Sequence, residues 1–499
     1  MAMWVSLLAY MSVIVFIVIR GALKTKNMAD YAVGSLTFSP WAVGLSLAAG
    51  MTSAATFIIN PGFVAYYGIS GVLSMSVFMP IGALLSLIVV SKGFRKIGSD
   101  VKATTLAQWI GIRYESKGYA LFFGFLSLLL ITFIVLICVG MTQVLCIALN
   151  TETLPTLICS VTFIFGYMMF GGANSMVYTN VIQAFIKVFV GIVLLLSGYE
   201  HFAGGFDGFL QKLSTIDSSL ASAYNPNSPL FRDFFEVVIC QLIVGVAIVC
   251  QPHIITRSLF LKNEKDVNRY LIVSCLVLMF FFSVVFVGLY ARLDFPDLMH
   301  NGQKISVDKM MSTYVTTHFS PTMSVLMVIG IFSAGIATLE GLIQSISATL
   351  TSDLIKPLAG DFLLKTDINP KGLFTEFILH KLVIVVLAIV AIFISYNQLI
   401  KPDLSVGILA QTGVYGYFSA AFVPVLFGTF LKDMPKIVPI VSSIVALITH
   451  FGIYFGRLTP YLHEGTRNPG ISTAIAIVIS VLVGSVLYLT VKKPLSYAS

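Results

Sequence analysis

The sequence predicts an all-α protein built into a membrane, with about thirteen transmembrane helices in a single domain. Of its 499 residues 57% are hydrophobic and only 10% are charged, against about 25% charged in an ordinary soluble domain. Mean hydropathy is +0.94. The apolar residues fall into about thirteen runs of roughly 16 to 30 residues, each long enough to cross a hydrocarbon core about 30 Å thick. The longest polar stretches between them, near 93–118, 200–233 and 293–322, are too short for a second domain. A soluble enzyme is excluded.

Apolar length and Gly, Pro and charge punctuation place spans near 3–19, 40–66, 71–91, 119–148, 156–170, 181–199, 235–256, 270–291, 323–353, 377–396, 405–430, 437–455 and 471–491. The first run, Trp4 to Ile19, has no basic stretch before it and no small-residue cleavage site after it, so it reads as a retained span. The second contains Ala48-Ala49-Gly50-Met51-Thr52-Ser53-Ala54-Ala55-Thr56, followed by Pro61-Gly62, a composition that predicts a broken helix. Backbone freed at that depth is tolerated where it is buried in protein or lines a wet cavity, and there its carbonyls can hold an ion or its amides a solute. Close packing of small residues between helices is the plainer alternative.

The seventh run ends in Gln251-Pro252-His253-Ile254-Ile255-Thr256-Arg257, where the proline is expected to stop the helix near the following loop. His253 has no second histidine at metal spacing and reads as a packed, hydrogen-bonded residue. Cys138, Cys146, Cys159, Cys240, Cys250 and Cys275 all lie inside apolar runs without CxxC spacing and read as small core residues. No GxSxG or Walker pattern occurs, so no catalytic constellation can be assembled, and transport is the default for such a chain.

The net charge of +8 is spread over short loops without a basic run, which points to a membrane and away from nucleic acid. With an odd number of spans the termini lie on opposite sides. Arg20, Lys24 and Lys26, the 92–117 loop, the 257–269 loop, Lys356, Lys365, Lys371, Lys432, Lys436, Lys492 and Lys493 gather on one side. That is about 20 Lys and Arg against about 8 on the other, so the first side is expected to be cytoplasmic, with the N-terminus outside and the C-terminus inside a cell (inner) membrane. The expected partners are the lipid bilayer and a small-molecule substrate, with no obligatory protein partner evident.

Four segments together resemble the sodium:solute symporter family. They are Asp30-Tyr31-Ala32-Val33-Gly34 with Ser39-Pro40-Trp41 and the broken second span; Phe170-Gly171-Gly172 with Tyr178-Thr179-Asn180-Val181-Ile182-Gln183; Gln251-Pro252-His253-Ile254 with Arg257; and Ala337-Thr338-Leu339-Glu340 leading to Thr351-Ser352-Asp353-Leu354. Their order and spacing match over nearly the whole chain. The resemblance implies a LeuT-type 5+5 inverted-repeat core, with an extra N-terminal helix at 3–19, a first repeat at 40–199, an inverted second repeat at 235–430 and two C-terminal helices at 437–491. It further implies secondary active transport by alternating access, with sodium as the coupling ion and no other cofactor. The main sodium site would use the carbonyls of Ala49, Thr52 and Ala334 and the side chains at 337 and 338. Thr338 keeps its hydroxyl, but position 337, usually Ser in the family, is Ala.

A second departure lies on the sixth span, where Asn180 stands in place of an acidic residue that the family associates with sodium passage. Lys187 follows it by seven residues, two turns along the same face and roughly 10 Å further into the membrane. An unpaired ammonium there costs at least about 2.5 kcal/mol. Glu340 is its expected partner, so a bracing Lys187–Glu340 pair is one reading. A head that snorkels into a vestibule is a second. A third is an ammonium that replaces the sodium ion and makes transport sodium-independent or proton-coupled, as in sodium-independent amino-acid transporters of this fold with a lysine on the equivalent helix. By the resemblance, substrate would lie against Met51, Ser53, Thr56, Gln241, Gln411 and Tyr415, with Phe418 as a further aromatic wall. No arginine is expected in the cavity, which leaves sugars, polyols, small zwitterions and small acids open. A transceptor that senses its substrate is the alternative of another class.

Overall fold

Long apolar runs become helices, and the residues flanking them set where each begins. In the computed structural model, which describes residues 2–34, 38–364, 373–402, 404–462 and 467–491, Ser39 caps the second span through Ala42 N with Pro40 in the first turn. Ser320 and Pro321 do the same for the ninth, Thr375 caps the tenth and Ser405 the eleventh. Such side chains satisfy amide groups that no helical carbonyl can reach.

The uninterrupted spans are Met3–Ala22, Ile69–Gly98, Lys117–Leu149, Asp266–Asp294, Pro321–Gly360, Glu376–Ile400, Val406–Phe430, Ile437–Gly456 and Pro469–Val491. Thr153–Leu196 is 44 residues long and is divided at Gly172, whose φ of 56° and ψ of −155° are not helical. Two further spans are bent pairs: Pro40–Met51 with Ala55–Tyr67 at 54°, and Phe235–Ile248 with Pro252–Phe260 at 60°. Among the described residues, length and composition give ten spans, or twelve with each bent pair as one; dividing Thr153–Leu196 at Gly172 matches the thirteen expected, and they are numbered so below.

Two boundaries differ from expectation. The sixth span begins just after Gly172 and not near 181, so the whole Tyr178-Thr179-Asn180 motif lies within its helix. Only glycine fits the turn, since a Cβ at Gly172 would meet Tyr31 atoms at 2.7–2.9 Å as well as adopt a positive φ. In the seventh span Pro252 does not end the membrane segment. Gln251 is extended and Pro252 opens the second half-helix, a position where the missing proline N–H costs nothing.

Small residues let the helices touch. A Cβ at Gly245 on the seventh span would stand 2.1 Å from Met79 O, and one at Gly82 on the third would stand 2.4 Å from Leu242 O, so these two spans cross backbone to backbone. Cys138, Cys240 and Cys250 are buried, Cys146 and Cys275 are half-buried, and Cys159 is exposed on its helix; the small-core reading holds for the first three. The polar stretches carry a short helix, Gly205–Ile216, a two-residue hairpin pairing Met299–His300 with Gln303–Lys304, and the helix Met310–His318. Lys365, Lys371, Lys492, Lys493 and the C-terminal residue lie outside the described residues. The end of the bundle that carries Arg20 and the 92–113 segment is called the basic end below.

Overpacking at the glycine crossing should be costly. Gly245→Leu is expected to destabilise by at least about 1–3 kcal/mol, read as a lowered Tm and a smaller monodisperse fraction in detergent, while Gly118→Leu, where no atom of the described residues lies within 4 Å of the added Cβ, should behave as the parent.

Candidate functional site

The site starts from the interruption of the second span. Pro40–Met51 runs inward from the basic end, and at Thr52 the backbone leaves helical geometry (φ −99°, ψ 105°). Ser53 Oγ then accepts from Ala55 N at 3.0 Å and the helix resumes. Carbonyls at the end of the first half-helix have lost their helical donors and carry the negative end of its dipole. Into this gap reaches Lys187 of the sixth span. Its Nζ donates to Ala49 O at 2.5 Å and to Thr52 O at 2.6 Å. The residue is fully buried, and its Nζ stands 5.8 Å from the centre of the Phe281 ring.

Lys187 therefore does not pair with Glu340, and its head does not snorkel. Among the described residues Glu340 takes part in no ion pair; it accepts from Tyr167 OH at 2.5 Å and Thr179 Oγ1 at 2.7 Å. Asn180 lies between this carboxyl group and Arg257. With the amide turned so that its oxygen faces the guanidinium, that oxygen accepts from Arg257 Nη1 and Nη2 at 3.2 Å and from Ser46 Oγ at 3.1 Å, and its nitrogen donates to Glu340 Oε2 at 2.9 Å and Gln183 Oε1 at 2.7 Å. The orientation follows from the donors around it. Arg257 also donates to Ser46 Oγ. Buried ionisable groups persist where their hydrogen bonds are met.

The structure brings the remaining expected ion-site residues to the same place but in other roles. Thr338 Oγ1 donates to Gly50 O at 2.9 Å and lies 3.5 Å from Ala334 O. Ala337 packs with Ala49 and Ala184 in a small buried apolar cluster, so a methyl group stands where the family has a hydroxyl. With two carbonyls engaged by Lys187 and a third oxygen replaced by carbon, the donor set as arranged does not fit a sodium ion.

Beside the gap is a cavity of about 700 Å³ including its mouth. Met51, Ser53, Thr56 and Asn60 line it from the second span, with Met79, Phe133, Gln251, Phe282, Gln411 and Tyr415 from the third, fourth, seventh, eighth and eleventh. No carboxylate, lysine or arginine is among the lining residues. Five of the six expected substrate contacts are here. The sixth, Gln241, is not: it faces Gly470 on the last span, 3.8 Å from the Cβ position there, two turns and roughly 10 Å before Ile248, which does line the cavity. Phe418 does not line the cavity either and packs behind Tyr415, ring centres 5.0 Å apart. Gln251 was missed. It is buried with Oε1 unpartnered among the described residues, and the signal was a polar residue before a proline in the middle of an apolar run. His253 is buried as expected, but neither ring nitrogen has a partner among the described residues.

A model of the sodium:solute symporter family matches residues 31–444. This chain belongs to that family. It is a multi-pass membrane transporter, and membership assigns it sodium-coupled secondary active transport of a solute. The sodium/pantothenate symporter of Haemophilus influenzae is 24% identical over 343 residues, 66% of this chain and 67% of the relative. The sodium/glucose cotransporter of Vibrio parahaemolyticus is 24% identical over 483 residues, 88% and 86% of the two chains. Among solved structures, a Na+-coupled sialic acid symporter in a substrate-bound outward-open state matches with a TM-score of 0.76 at 17% identity, covering 98% of both chains. The LeuT-type fold of this chain is thereby shown.

The hydrogen bond from Tyr167 should be measurable on its own. Tyr167→Phe leaves Glu340 Oε1 without its donor and is expected to cost about 1–3 kcal/mol, read as a lower Tm of the purified protein in detergent; an unchanged Tm would show that this contact is not maintained.

Proposed function

We propose that this chain takes up a small, polar organic solute by alternating access, binding it in the cavity beside the break in the second span. The observation that carries the reading is the lining: an uncharged pocket with apolar walls and a few amides and hydroxyls, including the unpartnered Gln251 Oε1. A buried acceptor without a donor is costly, and a solute hydroxyl or N–H supplies one. Without an arginine or lysine in the lining, a carboxylate would rely on amides at the start of the second half-helix, so sugars, polyols and small zwitterions fit better than dianions. We place the repeats at 40–199 and 235–430, each opening on a bent span. The basic end is assigned to the cytoplasm, with the N-terminus outside and the chain in a cell (inner) membrane. Solute, sodium and lipid are the partners this requires.

A second reading of the coupling step rests on Lys187. Sodium is the ion that the family supports, yet the lysine head occupies the two carbonyls on which that ion would rest. An ammonium held there supplies the same positive charge from within the chain. The two readings part in proteoliposomes: with sodium coupling, uptake rises with an imposed sodium gradient and Thr338→Ala raises the sodium concentration required. With Lys187 as the built-in cation, wild-type uptake is indifferent to sodium and Lys187→Ala abolishes or slows it.

For the solute, Gln411→Ala and Thr56→Ala should each raise the apparent KM about 5- to 12-fold, the loss of one hydrogen bond of about 1–1.5 kcal/mol, with folding retained. Unchanged KM for every transported solute in both variants would place the binding site elsewhere.

A further inference from the structure

At the basic end, the last turn of the third span and the segment after the seventh enclose a hollow of about 730 Å³ including its mouth. Arg95, Lys102 and Lys262 line it, and no carboxylate is among the lining residues. Arg95 is only 6% exposed. Its Nη2 donates to Leu261 O at 3.1 Å and Lys262 O at 2.7 Å, while Nε is buried without an acceptor among the described residues. None of the ion pairs among those residues includes it. Carbonyl groups satisfy hydrogen bonds but do not neutralise a charge, and a cation buried this deeply is ordinarily paired.

Lys102 occupies the left-handed position (φ 52°) of the turn that ends the third-span helix, where Ala103 N donates back to Gly98 O at 3.1 Å. Glycine is the usual residue at such a place. Exposed lysines alone would make a solvated face, and the adjacent hollow, lined by Lys92, Lys96 and Lys265, holds Glu264 as well. The Arg95 hollow differs in having a buried cation and no acid. We propose that it binds a phosphate group. A tetrahedral oxyanion has oxygens enough to accept from the guanidinium and from two lysines at once, and it supplies both the acceptor that Nε lacks and the missing counter-charge. Val33, Leu259 and Leu261 on the wall suit the organic part to which the phosphate is attached. The group arrives either on an anionic phospholipid, whose head lies at the level of a span's end, or on a soluble phosphate ester.

The inference goes beyond the transport reading and is tested without uptake. Protein in maltoside detergent is dialysed against radiolabelled inorganic phosphate, with ionic strength held constant by chloride, and its lipid adducts are counted by native mass spectrometry after addition of phosphatidylglycerol or phosphatidylcholine. Saturable phosphate binding identifies the soluble source. Retention of phosphatidylglycerol over phosphatidylcholine by at least about fivefold identifies the lipid. Whichever binding is seen, Lys102→Ala should weaken it about three- to fivefold, the worth of an exposed ion pair, and Lys102→Glu by more than about tenfold. Arg95→Lys, which keeps the charge but loses the Nε–H, should weaken it too, counting only protein with the parent's Tm because Arg95 also holds the 261–262 carbonyls. Lys96→Ala, in the adjacent hollow, should leave it unchanged. No saturable binding in either arm overturns the site. So does binding that Lys96→Ala weakens as much as Lys102→Ala, which would mark a diffuse basic surface.

Discussion

The structure depends on one interaction, the grip of Lys187 Nζ on Ala49 O and Thr52 O at 2.5 and 2.6 Å. A helix broken inside a membrane exposes carbonyls that water cannot reach, and each needs a donor or a cation. A lysine buried in the same place needs acceptors. Each defect resolves the other, so the break is held open by a side chain of the chain itself. The end of a half-helix is a favourable place for positive charge because its carbonyl dipoles point there.

The same accounting orders what lies around it. Arg257 and Glu340 would both be expensive in hydrocarbon, and Asn180 lets them share one network without direct contact. Tyr167 and Thr179 complete the coordination of the carboxyl group. Polar cost is thus concentrated in one layer between the break and the basic end. The cavity beside it is lined without a carboxylate, lysine or arginine, so no fixed ion there has to be desolvated.

Much of the fold was legible because membrane spans announce themselves by length. The break in the second span was legible too, since Gly50 and its small, hydroxyl-bearing neighbours are poor at holding a helix together. Pro252 misled because a proline ends one helix and begins another with equal ease, and only packing decides whether the second half stays in the membrane. The start of the sixth span was set late, near 181, because Gly171-Gly172 looks like a loop, whereas the turn there takes a single residue. The partner of Lys187 could not be read from charge alone. Opposite charges suggested Glu340, but the carbonyls that hold the amine belong to the backbone, which has no letter in a sequence. Met51, Ser53, Thr56, Gln411 and Tyr415 were found as cavity residues, whereas Gln241 shares a helix face with the lining residue Ile248 but sits two turns too far along it.

The most direct test of the central interaction is an experimental density map of the protein in lipid nanodiscs, in buffer containing sodium, at a resolution that separates side chains from ions. Continuous Lys187 density should end within hydrogen-bond distance of Ala49 O and Thr52 O. A separate ion coordinated by those two carbonyls, Ala334 O and Thr338 Oγ1, with the Lys187 head turned away, would contradict it.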